Sequence, residues 1–208
     1  MIIWSALIYS VFKMGKVKVI DLTEMDIDKA CDELISQFDC SFDLAVGIAD
    51  GGKIVAEKIA LKTHLPLLIV KRQRSLTNKK NRIKAVFKYI PKRVLNFFRV
   101  LESSFYQLSL KRKKRKDKSG EIQMCCEDCS FLETKSIKNV LLIDDALDSG
   151  ATILDVEKFF EPKHWNFKVA VITQTFNQPL INADYKIYNK TLIRFPWSSD
   201  CVTKKNDD

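Results

Sequence analysis

Histidine is almost missing from this chain of 208 residues: there are only His64 and His164. One follows a helix-like stretch and the other lies in a turn after Pro162, so they read as surface or hydrogen-bonded residues. Neither is read as a catalytic residue. No segment repeats, which excludes solenoids and propellers. No long apolar run is present either: the opening "MIIWSALIYSVF" has 12 residues, against the roughly 20 that span a bilayer. The basic stretch and small-residue cleavage site of a signal peptide are not clear in it. It reads as an apolar N-terminal extension over residues 1–15 that docks on the domain or on a partner. A natural start at Met14 and a weak membrane anchor are the second and third readings.

Cysteine is present, but not in a pairing pattern. The six are Cys31, Cys40, Cys125, Cys126, Cys129 and Cys201. Adjacent Cys125 and Cys126 make a poor disulfide framework, which points to a reducing, cytoplasmic setting. Cys126 and Cys129 form one C-x-x-C, whereas a zinc site usually draws four ligands from two such pairs. No second pair exists. These thiols read as buried or tolerated, with zinc as the alternative if folding brings Cys31, Cys40 or Cys201 near.

Apolar residues make up 46% of the chain, enough for a core. The length suits one medium domain, or one domain with a large insertion. Charge is unevenly placed. Of 35 basic and 26 acidic residues, 18 and 2 fall between Lys71 and Lys118, leaving 17 and 24 elsewhere, a net of −7. An acidic body therefore carries one strongly basic segment, and the question of an anionic partner concerns that segment.

Strands are expected at "KVKVIDLT" (16–23), "DLAVGIA" (43–49), "LPLLIVK" (65–71), "NVLLIDD" (139–145) and "FKVAVITQTF" (167–176), with two short ones in "YKIYNKTLIRFPW" (185–197). Helices are expected at "TEMDIDKACDELISQF", with Thr23 as N-cap, at "KIVAEKIALKT", and at "ATILDVEKFFE" (151–161), stopped by Pro162. Alternating strands and helices imply right-handed β-α-β units and a mostly parallel sheet. Ligands of such sheets sit at the carboxyl ends of the strands. Both unusual loops, 49–53 and 144–152, lie there.

The second loop is the most informative stretch, "VLLIDDALDSGAT" (140–152). Ser149, Gly150, Ala151 and Thr152 lie between a strand and a helix. Small residues let backbone N–H groups approach an anion, and a helix N-terminus favours a phosphate. The Ser149 and Thr152 hydroxyls add donors. The Gly-Lys-Ser/Thr ending of a Walker A loop is missing. Asp144 and Asp145, acceptors when ionised, suit a sugar diol and can help place a hard Mg2+ ion. A ligand with a diol at one end and a phosphate at the other, such as a ribose 5-phosphate, fits the stretch.

This stretch closely resembles the 5-phosphoribosyl-1-pyrophosphate (PRPP) motif of type I phosphoribosyltransferases. "FDLAVGIADGGKIVAEKIA" (42–60) resembles the family's strand, pyrophosphate loop and helix, and "RFPWSSD" (194–200) is similar to the closing segment of its xanthine-guanine members. The resemblance implies a twisted, mostly parallel sheet flanked by helices over residues 16–208, interrupted at about 72–136 by a basic helical insertion in the hood region. It implies Mg2+-assisted displacement of pyrophosphate from C1 of the sugar by a base nitrogen. Asp144 and Asp145 would hold the ribose hydroxyls, Asp148 would be the acid/base group, and Ser149, Gly150, Ala151 and Thr152 would hold the 5-phosphate. Ala49, Asp50, Gly51 and Gly52 would form the pyrophosphate loop, where the family often has a strained peptide. Leu192 and Ile193 would meet the base. The sequence departs from the family's purine-using members in three places: Asp50 replaces a basic residue, Gln174 or Thr175 replaces a lysine, and Leu192 replaces a stacking aromatic.

The insertion's centre, "PKRVLNFFRVLESSFYQLSL", is helical in period, with Val94, Phe98, Leu101, Phe105 and Leu108 in one stripe. Lys111, Arg112, Lys113, Lys114, Arg115 and Lys116 follow it. Three readings stand open: a helical arm packing on its own domain or on a second copy, a surface for RNA or DNA, and a membrane surface. Two functions follow. One is a PRPP-dependent transferase. The other is an effector or regulator of the same fold, with weak or no salvage activity, that holds nucleic acid or a partner protein through residues 71–118. Some proteins of this fold bind nucleic acid as regulators, and others look like components of bacterial defence systems.

Overall fold

Strand β5 (Asn139–Leu147) is buried without a break from Val140 to Ile143. Successive side chains on a strand point to opposite faces, so a continuous apolar run needs cover on both sides. The computed structural model, which describes residues 18–73, 121–125, 132, 136–176 and 179–198, supplies that cover. Beside β5 lie β2 (Leu44–Ile48), β3 (Leu67–Gln73), β4 (Glu121–Met124), β6 (Asn166–Gln174) and β7 (Tyr185–Asn189), in the order β4-β3-β2-β5-β6-β7. All neighbours pair in parallel except the antiparallel edge strand β4.

Alternate residues go to two cores. On one face Ala45, Leu141, Ile143 and Ile172 pack against helices α1 (Glu24–Ser36) and α2 (Gly51–Thr63) through Ile27, Leu34, Val55 and Ile59. On the other, Val46, Leu68, Leu142 and Val171 pack against α3 (Ala151–Phe160) through Ile153, Val156 and Phe160. Each fully buried Leu or Ile contributes about 1.5–3 kcal/mol. Helix α1 begins with a capping box: Asp26 N donates to Thr23 Oγ1 (3.2 Å), and Thr23 N donates to Asp26 Oδ2 (2.9 Å). Lys58 Nζ, 2.7 Å from Asp28 Oδ1, ties α1 to α2.

The described fold forms one compact unit, Val19–Gln73 with Gly120–Asp208. A second unit, Met1–Lys18 with Arg74–Ser119, lies outside the described residues except for Lys18. The apolar extension (1–15), the expected arm with Lys111–Lys116, and Cys126, Cys129 and Cys201 all fall outside them. Among the described residues, no helix is long and apolar enough to cross a membrane.

Three details differ from the sequence-based expectation. Glu121–Met124, inside the span expected as a helical insertion, is strand β4, and Arg72–Gln73 completes β3. The β3 edge accounts for this, since its unpaired backbone groups are satisfied through Val70↔Met124 and Gln73↔Glu121. Of the two short C-terminal strands, only β7 joins the main sheet; β8 (Thr191–Arg194) pairs with β1 (Lys18–Asp21) in a separate two-stranded sheet. Pro162 does not end the helical path at once, because the chain continues through a 3₁₀ turn, Glu161–Lys163, whose first turn tolerates proline.

The topology fixes where a ligand can sit. The connection β2-α2-β3 runs to one side of the sheet over one face, and β5-α3-β6 runs to the other side over the opposite face. Strand order therefore reverses between β2 and β5, and a crevice opens at their carboxyl ends. Loops 49–52 and 148–152 border it.

One buried ion pair ties the two sides together. Arg72 on β3 lies on the α3 face with Leu68 and Val70, and its Nη2 is 2.6 Å from Asp155 Oδ2 on α3. The Asp155 side chain is only 4% exposed. Removing one partner of such a pair leaves an uncompensated buried charge, whereas replacing both with apolar residues is often neutral. In urea unfolding, Arg72→Met should therefore cost about 3–5 kcal/mol, and the double variant Arg72→Met/Asp155→Leu should recover most of it. A double variant no better than the single one would contradict this reading.

Candidate active site

The first element of the site is a glycine pair. Gly51 and Gly52 open α2, whose N-cap Asp50 makes no side-chain capping bond. The helix end points at the carboxyl end of β5, and the approach is so close that no side chain fits. A Cβ on Gly51 would lie 2.0 Å from Asp145 Oδ2, and one on Gly52 would lie 2.7 Å from Asp144 Cα. The N-terminus of α2 thus meets both carboxylates of the Asp-Asp pair, and its partial positive charge favours them.

The two aspartates are held differently. Asp145 N donates to Asp144 Oδ1 (2.9 Å). The Trp197 indole N–H donates to Asp145 Oδ2 (3.0 Å). Burial, and next the neighbouring Asp145 carboxylate, push the Asp144 carboxyl well above its ordinary range. The pair resists carrying two negative charges with no cation between them.

Downstream, Asp148 is exposed. Thr175, in the loop after β6, donates to its Oδ1 through the hydroxyl, and Thr175 N donates to Leu147 O (3.0 Å). Gln174, the other candidate at this position, is spent on structure. Its Oε1 accepts from Ala183 N (3.1 Å), and its Nε2 donates to Asn182 Oδ1 (3.1 Å) and Phe176 O (3.3 Å). Gln174 therefore holds Phe176, Asn182 and Ala183, and Thr175 is the residue at Asp148.

The 148–152 loop closes with Gly150 at φ +75°, a left-handed conformation natural to glycine. Ile181 packs against it, with Cγ2 at 2.7 Å from where a Cβ would be, and Leu180 N donates to Ser149 O (2.8 Å). Ser149 Oγ accepts from Ala151 N (3.3 Å). Gly150 is also the N-cap of α3 and brings no side chain of its own; of the first-turn N–H groups, that of Ala151 is bonded to Ser149 Oγ. Thr152 lies in that first turn.

On the opposite lip the Ala49–Asp50 peptide is cis. Asp50 is 87% exposed, and its Oδ1 is 3.2 Å from Lys71 Nζ at the end of β3. The two base-side residues part company. Leu192 is half-buried, whereas Ile193 is buried in the core shared with α1 and α2, so its side chain is used in packing.

The structure thus gathers Gly51, Gly52, Asp144 and Asp145 at one end of the crevice, and joins Asp148 to Thr175 and Ser149–Gly150 to Leu180–Ile181. Two participants were missed from sequence. Trp197 lies inside the quoted "RFPWSSD", and its indole was the only side-chain N–H donor in that stretch besides arginine. Lys71 carried no signal, being one of many lysines at the start of the basic segment.

An α/β sheet whose strand order reverses, with a strand-to-helix loop at that reversal, defines a doubly wound class of fold. The sequence model of the phosphoribosyl transferase domain matches residues 15–174, and the chain belongs to this family. Its fold is that of the type I phosphoribosyltransferases. Solved structures that share it include a purine phosphoribosyltransferase from Pyrococcus horikoshii (16% identity, TM-score 0.55, 88% of this chain and 95% of that one). A Helicobacter pylori xanthine-guanine-hypoxanthine phosphoribosyltransferase is as similar (16%, 0.55, 90% and 97%). So is a Neisseria gonorrhoeae protein with bound ppGpp (16%, 0.58, 91% and 94%). No curated protein matches the chain.

Two outcomes follow from the packing and the charges. Gly52→Ala should unfold at clearly lower temperature, because its new methyl meets backbone. Gly51→Ala should lose less, because its new methyl meets the Asp145 carboxylate and the Trp197 indole, side chains that can give way at the cost of the bond between them. Equal losses in differential scanning would count against this geometry. Asp144→Asn should melt higher than the parent at neutral pH. The folded-state pKa of Asp144 is raised, so its penalty is absent where both states are protonated, below the unfolded pKa of about 3.9. The penalty grows as pH rises and is complete above the folded pKa. The advantage of Asn should accordingly vanish as pH falls towards 4, and a constant or reversed gap would contradict it.

Proposed function

We propose that this protein binds PRPP or a nucleotide together with Mg2+ and transfers the phosphoribosyl group to a nucleobase or a related acceptor. The observation that carries this reading is the convergence of two carboxylates, an exposed third one and a glycine-shaped helix N-terminus on one connection at the switch point. The phosphate of the sugar sits on the 149–152 loop, and the sugar hydroxyls donate to Asp144 and Asp145. The acceptor nitrogen forms a bond to C1 as the C1–O bond to pyrophosphate breaks, and Asp148, oriented by Thr175, takes the proton the nitrogen gives up. Negative carboxylates beside C1 stabilise the positive charge that develops there.

Bound Mg2+ neutralises pyrophosphate and eases its departure. Asp144 and Asp145 supply hard oxygen donors suited to it. Among the described residues no group of three or more His, Cys, Asp or Glu side chains could hold a metal. That suits an ion held by one or two carboxylates together with ligand phosphates. Asp50 would put a negative charge beside the pyrophosphate; its pairing with Lys71 balances it.

The segregation of charge favours a further role for residues 71–118, with Lys111–Lys116 on phosphates of RNA or DNA. Such binding should weaken with salt, with a log–log slope of about −0.9 per phosphate neutralised on duplex DNA. Co-purified nucleic acid and its loss on deleting 78–118 would support that role; salt-independent or absent binding would end it.

For the transferase itself, titration calorimetry should show PRPP binding in the presence of Mg2+, lost in Asp145→Asn. Pyrophosphate release across a panel of nucleobases should fall about 10²–10⁴-fold in Asp148→Asn. A folded wild-type protein that binds neither PRPP nor a nucleotide contradicts the proposal.

A further inference from the structure

Trp197 is the one large aromatic that touches the Asp-Asp pair among the described residues, and its setting is unusually constrained. Its indole is stacked flat on Phe195, with ring centroids 5.0 Å apart and 9° between planes. The turn that carries it is closed by Ser198 N donating to Phe195 O (2.9 Å) and Phe195 N donating to Ser198 Oγ (3.2 Å). The chain entering this turn is anchored by Arg194, 7% exposed, whose Nη1 donates to both oxygens of Asp21 (3.0 and 3.2 Å). Leu22 N donates to Arg194 O (3.0 Å). The indole N–H is therefore delivered to Asp145 Oδ2 from a rigid base, beside the position a Gly51 side chain would fill, 2.8 Å from Trp197 Nε1.

We infer that Trp197 is a positioning residue for sugar binding: by fixing one oxygen of Asp145, it aims the carboxylate at the ligand's hydroxyls. This rests on the reading of the site as a sugar-phosphate site, and it assigns to the closing segment a function beyond contact with a base. A freely rotating Asp145 lies between an adjacent carboxylate and a helix end and has more than one resting place. The indole leaves it one. The turn closed between Phe195 and Ser198 and the Arg194–Asp21 pair set where the indole stands. The glycine at position 51 leaves the space in which the two groups meet.

Two substitutions separate this role from simple packing. Trp197→Phe keeps a ring on Phe195 and removes only the N–H. Phe195→Leu removes the stack and keeps the N–H. The probe is ribose 5-phosphate with Mg2+, followed by calorimetry on the full chain. Trp197→Phe should weaken binding about 10- to 100-fold, the worth of a hydrogen bond to a charged acceptor, while Phe195→Leu stays within about 3-fold of wild type. Wild-type affinity in Trp197→Phe, or equal losses in the two variants, overturns the inference and leaves the proposed function standing. A wild-type protein that binds no sugar phosphate overturns both. An indole proton signal provides a check that needs no ligand. The Trp197 N–H resonance, identified by its absence in Trp197→Phe, should move in Asp145→Ala; an unmoved signal overturns the inference. If Trp197→Phe does not fold, the resonance that alone among the three tryptophans moves in Asp145→Ala carries the test, and no movement of any overturns it.

Discussion

Two adjacent carboxylates at the end of a buried strand are electrostatically unfavourable, and the site depends on how that cost is met. Asp144 and Asp145 lie against the first turn of α2, whose amides carry partial positive charge. Only a residue without a Cβ allows this approach, because side chains at Gly51 and Gly52 would overlap Asp145 and Asp144. The compensation is incomplete, as the raised pKa of Asp144 shows. A site left in this state attracts hydroxyl donors and cations, which is the chemistry that a sugar carrying a metal-bound pyrophosphate presents.

The rest of the fold holds that meeting in place. Strands β2 and β5, with both faces covered, fix the distance between the two loops. Opposite crossovers open the crevice between them. The Arg72–Asp155 pair links the β3 side of the sheet to α3, the helix that begins at Gly150. The 179–182 segment, set by Gln174, packs against Gly150. The site is thus assembled from both sides of the switch point.

Much of this was legible in the sequence because the signals were local. Thr23 announced a helix start, and unbroken apolar runs announced buried strands. "DDALDSGAT" announced a turn between a strand and a helix, which is where β5 gives way to α3. What was not legible depended on long-range partners. Nothing local distinguishes Gln174 from Thr175, yet pairing with Ala183 and Asn182 commits one to structure and leaves the other at Asp148. Ile193 read as a ligand contact because of its neighbours in sequence, while its side chain belongs to the core. Strand β4 was hidden in a span whose composition suggested an insertion, since a short edge strand needs only one buried residue, Ile122. Trp197 and Lys71 acquire meaning only from Asp145 and Asp50, which lie far from them in sequence.

The departures from the family's purine-using pattern take on physical content in this light. Asp50 pairs with Lys71, Thr175 donates to Asp148, and Trp197 of the closing segment donates its indole N–H to Asp145. The departures, at Asp50, at Gln174 or Thr175 and at Leu192, all lie outside the stretch 140–152. A crystal structure of the protein with ribose 5-phosphate and Mg2+ tests this account most directly. The account predicts the phosphate on the backbone amides of residues 149–152 and the sugar hydroxyls on Asp144 and Asp145. A sugar phosphate bound elsewhere, or seated there with its hydroxyls turned away from both aspartates, would contradict it.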